Sequence, residues 1–299
     1  PSHPEWLVAR WLDRHGFDAT EAWVRFNNTP SAVTLHVNRL VATPDEAQQR
    51  LAAADVATTP CRFAPDGLVV TGGHPFQAVA EGLVLVQDEA SQLVPLAVGA
   101  HPGERVLDLC AAPGGKTLSL AADVGDEGLV VACDVRPRRL RLLRQTLDTA
   151  TARRARIVQV PLSGPLPFAT RFDAVLVDAP CSGLGTLRRD PDIKWRRSEA
   201  DLPRLATRQL DLLTRAADTV VPGGRLVYAT CSSEPDENEE VVQRFLDRRT
   251  DYVLRPIDGV GPLATFVDDR GLFRTVPPRD GLEAFFAAVL VRTTSVVRS

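Results

Sequence analysis

The stretch Asp108-Leu109-Cys110-Ala111-Ala112-Pro113-Gly114-Gly115-Lys116-Thr117 joins an apolar run that reads as a strand, Arg105–Leu109, to a segment that reads as a helix, Gly115–Ala122. Small residues and paired glycines let a backbone approach a ligand closely, and a helix start offers amides with no partner inside the helix. The spacing is neither the G-x-x-x-x-G-K of a phosphate-binding loop nor the G-x-G-x-x-G of a dinucleotide turn. Paired glycines alone also occur in ordinary strand–helix turns, so the turn needs support from the neighbouring strand. That strand, Leu129–Asp134, ends in an acid. A carboxylate there can accept from both hydroxyls of a ribose, although an Asp capping the following helix would look the same in sequence. Turn and acid together suit an adenosine-bearing cofactor.

Working outward, strands are expected at Arg156–Val160, Phe172–Asp178, Arg225–Thr230 and Ala284–Val291, and helices at Pro137–Thr149, Ser198–Val220 and Pro235–Arg248. This alternation predicts an α/β, Rossmann-like fold, a mostly parallel sheet with helices on both faces. Ligands of such sheets bind at the carboxyl ends of the strands. The preceding chain reads differently. Residues 1–75 are expected to form a small α+β unit, with a short helix over Trp6–Trp11, a strand over Ala32–Leu40, and a helix starting at Pro44 with Asp45 and Glu46 facing its dipole. A turn through Thr71-Gly72-Gly73-His74-Pro75 is the expected boundary with a catalytic unit over 76–299.

Composition narrows the function classes. The chain has 299 residues, 44% apolar and 24% charged, which excludes disorder, collagen-like repeats and a coiled coil. No apolar run approaches the ~20 residues of a membrane span, and no signal-peptide pattern is present. A formal net charge of −3 gives no global positive field. Arginines nevertheless cluster at Arg136, Arg138, Arg139, Arg141 and Arg144, at Arg153, Arg154 and Arg156, and at Arg188, Arg189, Arg196 and Arg197 around Lys194. Such clusters are either solvated faces or a phosphate-tracking groove. Lys116 and Lys194 are the only lysines among 35 basic residues, which marks both as candidates for geometrically strict sites. Cys61, Cys110, Cys133, Cys181 and Cys231 form no close pairs and have no His partners, which argues against disulfides and zinc and for a reducing cytoplasm. The chain contains no Met and is expected to be part of a longer protein.

With these motifs in hand, the chain resembles the Sun/NSUN-type RNA cytosine-C5 methyltransferases. The likeness runs from about Gln87 to the C-terminus, through Asp108–Thr117, Asp178-Ala179-Pro180-Cys181-Ser182-Gly183, Asp190-Pro191-Asp192-Ile193-Lys194-Trp195, Tyr228-Ala229-Thr230-Cys231-Ser232, and Asp280-Gly281 with Phe285-Phe286. His3-Pro4-Glu5-Trp6 and Val37-Asn38-Arg39 add a likeness to the bacterial small-subunit ribosomal RNA branch, whose NusB-like N-terminal domain is not in this chain. The resemblance implies a seven-stranded methyltransferase fold and S-adenosylmethionine as cofactor, leaving S-adenosylhomocysteine. It implies cofactor contacts from Cys110, Ala111, Ala112, Pro113, Gly114, Gly115, Lys116, Asp134, Arg139 and Asp178. Where the family usually has an acid ending the third strand, this chain reads Val158-Gln159-Val160-Pro161-Leu162, which leaves the adenine-edge contact to backbone or another side chain.

Cytosine C5 is a poor nucleophile until a thiolate adds at C6, after which a base must remove the C5 proton. Two strand-end cysteines and a carboxylate are the groups available. Either cysteine alone reads equally well as a small buried residue. The resemblance makes Cys231 the nucleophile, Cys181 the residue that helps release product, and Asp178 a hydrogen-bond partner of the cytosine N3 and amine region. Lys116 would orient the base, Lys194 and Trp195 would position RNA, with Trp195 reading equally well as a packed core residue, and the target base would have to leave its stack. Expected partners are ribosomal RNA, with transfer RNA as the alternative, and no metal or membrane, the chain acting as a monomer. A cofactor-binding RNA assembly factor with an idle site is the non-enzymatic alternative.

Overall fold

The computed structural model describes residues 2–258 and 261–294. The outer ends of the two expected units, Pro1 and 295–299, lie outside these. The N-terminal region carries α1 (Glu5–Asn27), β1 (Thr34–Val37), α2 (Pro44–Ala53), β2 (Ala57–Pro60), β3 (Gly67–Gly72), α3 (Phe76–Ala80) and β4 (Val84–Val86). The remainder runs α4 (Glu89–Val98), β5 (Arg105–Asp108), α5 (Gly115–Val124), β6 (Leu129–Asp134), α6 (Pro137–Thr149), β7 (Ala155–Gln159), β8 (Phe172–Asp178), α7 (Ile193–Arg196), α8 (Asp201–Ala217), β9 (Val220–Thr230), α9 (Glu239–Arg248), β10 (Tyr252–Arg255), β11 (Phe273–Arg274), α10 (Pro277–Asp280) and β12 (Phe286–Arg292).

The large sheet has the order β10-β12-β9-β8-β5-β6-β7, with short β11 pairing on β12 as an eighth strand beside the expected seven. From β9 to β7 the strands are parallel, and β12 and β10 are antiparallel. Successive residues of each central strand enter opposite cores. Leu107, Val175, Val177, Leu226 and Tyr228 pack beneath α8 and α9, whereas Val106, Ala174, Leu176, Val227 and Ala229 pack with α4 and α5. Burial on both faces is what a parallel sheet requires, and it makes these strands continuous apolar runs.

Several expectations are corrected. The short N-terminal helix is a long one, kinked at Gly16 (φ 75°). Leu7, Trp11, Trp23 and Val24 pack on Leu184, Leu187, Leu202 and Ala284, so α1 belongs to the larger unit's surface and tertiary packing extends it. The strand expected over Ala32–Leu40 shrinks to β1. The helix expected over Ser198–Val220 begins at Asp201, because Ser198 N and Oγ both donate to Asp201 Oδ2 at 2.9 Å, and it stops where Val220 enters β9. The small sheet, β2-β3-β1-β4, takes its edge strand from beyond the turn at 71–75. Thr43 caps α2 in a capping box with Glu46.

Candidate active site

At the carboxyl end of β5 the chain turns through Cys110–Gly114 into α5. Gly114 has φ 121°, and a Cβ there would come within 3.1 Å of Leu143 on α6. A Cβ on Gly115 would come within 2.6 Å of Gln87 Oε1. Gly114 is thus favoured by its positive φ and its tight contact with α6, whereas at Gly115 the atom met is the mobile amide end of Gln87. The turn borders an open cavity of about 110 Å³, walled by Cys110, Ala111, Ala112, Pro113, Gly115 and Lys116 on one side and Leu85, Val86, Gln87 and Ser91 on the other, with Asp108 and Asp178 between them. Thus β4 of the small sheet and the start of α4 close a pocket that the sequence placed on the β5–α5 turn with Asp134, Arg139 and Asp178.

Asp108 Oδ2 accepts a 2.7 Å hydrogen bond from Thr117 Oγ1, while its Oδ1 is buried without a partner. Burial pushes the Asp108 carboxyl up to about 7, against the Thr117 bond. Asp134 and Arg139 stand beside the turn rather than in the cavity wall. Asp134 Oδ2 accepts from Arg139 Nε at 2.8 Å and Oδ1 from the Arg136 amide at 3.0 Å, so the carboxylate also serves the helix start. Arg139 donates to the Ala112 carbonyl, bracing the loop. Gln159, which ends the third strand, is exposed and donates to the Val135 carbonyl at 3.3 Å.

The thiol side lies at the ends of β8 and β9. Cys181 and Cys231, fifty positions apart, bring their Sγ atoms to 3.3 Å. The hydrogen bond to Cys231, followed by burial, raises the Cys181 pKa and keeps it a thiol. Lys116 links the two sides: its Nζ donates to Asp178 Oδ2 and to Ser91 Oγ, each at 2.8 Å. Burial acts to lower the Lys116 pKa, but the charge and hydrogen bond of Asp178, with Cys231 adding, carry it upward, so the ammonium stays charged. The ammonium also lies 5.6 Å from the Phe285 ring centroid.

Sequence reasoning missed the residue that aligns the two thiol-bearing loops. Glu237 is fully buried, and its carboxylate accepts from Ser182 N (2.8 Å), Gln209 Nε2 (2.9 Å) and Ser232 Oγ (2.6 Å). Nothing in the run Glu234-Pro235-Asp236-Glu237 distinguishes this acid from its neighbours; only tertiary structure does. Glu234 is likewise buried and accepts from Trp11, Arg10 and Arg14 of α1. Ser91 and Gln87 were also missed.

The arginine clusters divide. Arg136, just before α6, and Arg138, Arg139, Arg141 and Arg144 on it are all exposed, and only Arg139 meets a carboxylate among the described residues. The cluster around Lys194 is mostly occupied internally: Arg188 pairs with buried Glu283, Arg189 with Asp88, and Arg197 donates to the Ser182 carbonyl. Lys194 is only 4% exposed and donates to Asn28 Oδ1. All five cysteines are free. Among the described residues no cluster of His, Cys, Asp or Glu could hold a metal, and no helix is long and apolar enough to cross a membrane.

Residues 95–291 match the family described as 16S rRNA methyltransferase RsmB/F, and residues 3–77 match the ferredoxin-like domain described for RsmF/B-like methyltransferases. The chain is 37% identical to a probable ribosomal RNA small subunit methyltransferase B of Bacillus subtilis, over 84% of this chain and 57% of that protein. It is 35% identical to ribosomal RNA small subunit methyltransferase B of Vibrio cholerae, over 96% of this chain and 65% of that protein. A crystal structure of a methyltransferase homologue from Pyrococcus horikoshii superposes with a TM-score of 0.81 at 27% identity, covering 97% of this chain and 96% of the other. The chain thus spans somewhat over half the length of these curated relatives, and its large sheet has the Rossmann-like methyltransferase fold.

Proposed function

This chain belongs to the 16S rRNA methyltransferase RsmB/F family, and from that premise we propose that it uses S-adenosylmethionine to methylate cytosine C5 in RNA, with small-subunit ribosomal RNA as substrate. The observation that carries the reading is the thiol pair, Cys181 and Cys231 at 3.3 Å, on the same sheet edge as the small-residue turn and its cavity.

The residues present fit the cofactor. A loop of Cys110, Ala111, Ala112 and Gly115 gives backbone-close access, and the buried, unpartnered Asp108 Oδ1 at the cavity suits an ammonium group. Asp134, braced by Arg139, would take the ribose hydroxyls. When bound, S-adenosylmethionine supplies an electrophilic methyl sulfonium. The protein's own part is to make C5 nucleophilic. The Cys231 thiolate adds to C6 of a cytosine drawn out of its stack, and Asp178 hydrogen-bonds the N3 and amine edge. Lys116 fixes Asp178 and keeps a positive charge beside the ring. With C5 methylated, a water acting as base would take the C5 proton, the C–H electron pair would restore the C5–C6 double bond, and the C6–S bond would break to return the Cys231 thiolate, with Cys181, hydrogen-bonded to that sulfur, assigned to assist the release. In this reading the N-terminal unit, which reaches the cavity through β4, also contacts RNA.

Methyl transfer from labelled cofactor to unmethylated small-subunit ribosomal RNA and to transfer RNA tests this directly. Labelled 5-methylcytosine on ribosomal RNA, abolished in Cys231→Ala and replaced by a trapped covalent complex in Cys181→Ala, is the expected result. Label on transfer RNA alone would retain the chemistry and overturn the substrate. Cofactor binding with no transfer to either RNA would leave an assembly factor.

A further inference from the structure

Trp195 is 61% exposed, whereas Trp11 and Trp23 are buried and Trp6 is half-buried. An indole left in water forgoes the burial that usually justifies so large a ring. Its mounting is nevertheless rigid. Trp195 sits on the single turn of α7, and the residues around it point inward as anchors. Ile193 packs on Gly183 so closely that a Cβ there would lie 2.9 Å from Ile193 Cδ1. Lys194 is buried and donates to Asn28, which follows the end of α1, at 3.3 Å. Arg197 donates to the carbonyls of Ser182 and Cys181, at 2.8 and 3.5 Å. The ring is thus fixed to the Cys181 loop itself and faces solvent, with exposed Arg196 beside it.

Chemistry on a base requires that base to leave its stack, which strips its neighbours of a stacking partner. Proteins that hold single-stranded nucleic acid replace that partner with an aromatic face, aided by nearby cations. We propose that the Trp195 indole is a stacking platform for a nucleobase flanking the target cytosine, a subsite that rests on the RNA-methylating reading above. The platform accepts any base face, so it fixes the strand's position rather than its sequence.

The test is binding of a short single-stranded RNA carrying one cytosine, followed by intrinsic tryptophan fluorescence and, in parallel, by methyl transfer. Wild type should show quenching of the solvent-exposed emission, absent in Trp195→Phe, which lacks the indole but retains affinity because it still stacks. Trp195→Ala should weaken RNA binding roughly 5- to 150-fold, as one stacked base contributes, while cofactor affinity is unchanged. An RNA with an abasic nucleotide next to the cytosine should lose the same factor against wild type and little against Trp195→Ala. The proposal is overturned if wild type methylates the RNA and Trp195→Ala binds it within twofold. A change in self-association without a change in RNA affinity overturns it equally, assigning the ring to a protein contact. Failure of methyl transfer by wild type with RNA still bound would instead strike the underlying reading.

Discussion

The cofactor turn after β5 and the thiol pair after β8 and β9 share one sheet edge but are held by opposite means. The turn is made of consecutive residues, with Thr117 on Asp108 nine positions away and Arg139 of the next helix on the Ala112 carbonyl. The thiols are brought together across fifty positions, and the hub between their loops, Glu237, gathers donors from Ser182, Gln209 and Ser232. A locally built site tolerates distant change. An assembled one concentrates its dependence on a buried residue that touches no substrate.

That difference is broken most severely at Glu237. Glu237→Ala leaves the buried Ser182 amide without its acceptor, at a cost of about 1–3 kcal/mol, while Gln209 Nε2 keeps the Pro180 carbonyl and Ser232 Oγ the Ser182 hydroxyl. We expect about 1–3 kcal/mol lost in urea melts and methyl transfer down roughly a hundredfold or more, with cofactor affinity changed far less. Equal losses in cofactor affinity and methyl transfer would mean the two halves are one structural unit. Lys116 is the bridge between them, sitting on α5 but bonded to Asp178 of β8. Lys116→Arg keeps the charge, yet a planar fork cannot reproduce one ammonium shared by Asp178 and Ser91 at 2.8 Å each. Methyl transfer should fall roughly ten- to a hundredfold with the Cys181–Cys231 geometry intact, a loss of about 1.4–2.7 kcal/mol in transition-state stabilisation. An Arg variant of full activity would remove Lys116 from the bridge.

The same contrast decides what was legible in the sequence. β6, β8 and α6 have the bounds read from the sequence, because each is an apolar run or amphipathic period with clear punctuation. The cofactor turn was legible for the same reason. The α4 helix was not, because nearly every residue from Glu89 to Val98 is buried and leaves no polar face to mark a period. The length of α1 depends on packing against Leu184 and Ala284, and the cavity wall from β4 depends on sheet pairing across the turn at 71–75. Glu237 carries no local mark at all. Family motifs identified the two cysteines but not what aligns them.

On the cofactor side a pH test reaches the turn without touching the thiols. Asp108 titrates at about 7 in the fold because it is buried, against an ordinary carboxylate near 4 in the unfolded chain. Below about pH 4 both states are protonated and burial costs nothing. Between 4 and 7 the unfolded chain ionises first, so stability falls as pH rises, and above 7 the loss is complete. Asp108→Asn should remove that slope, gaining ~4 kcal/mol over wild type by pH 8 and nothing near pH 4, while weakening cofactor binding. A pH profile parallel to wild type would show that Asp108 ionises freely.

The smallest effect is the most local. Arg138 lies in the first turn of α6, exposed and without an ion pair among the described residues, where the positive end of the helix dipole opposes its charge. Arg138→Glu reverses the sign and also sets an acid three positions before Arg141, so it should stabilise the fold by about 0.5–1 kcal/mol at low salt. The gain should shrink in high salt, since an exposed interaction of this kind is screened over a few ångströms at molar ionic strength. Alkylation rates of Cys181 and Cys231 should not move, because no hydrogen bond of the thiol hub involves α6. If those rates do change with charge at Arg138, the two halves are coupled through the sheet, and the separation between a local site and an assembled one fails at its weakest test.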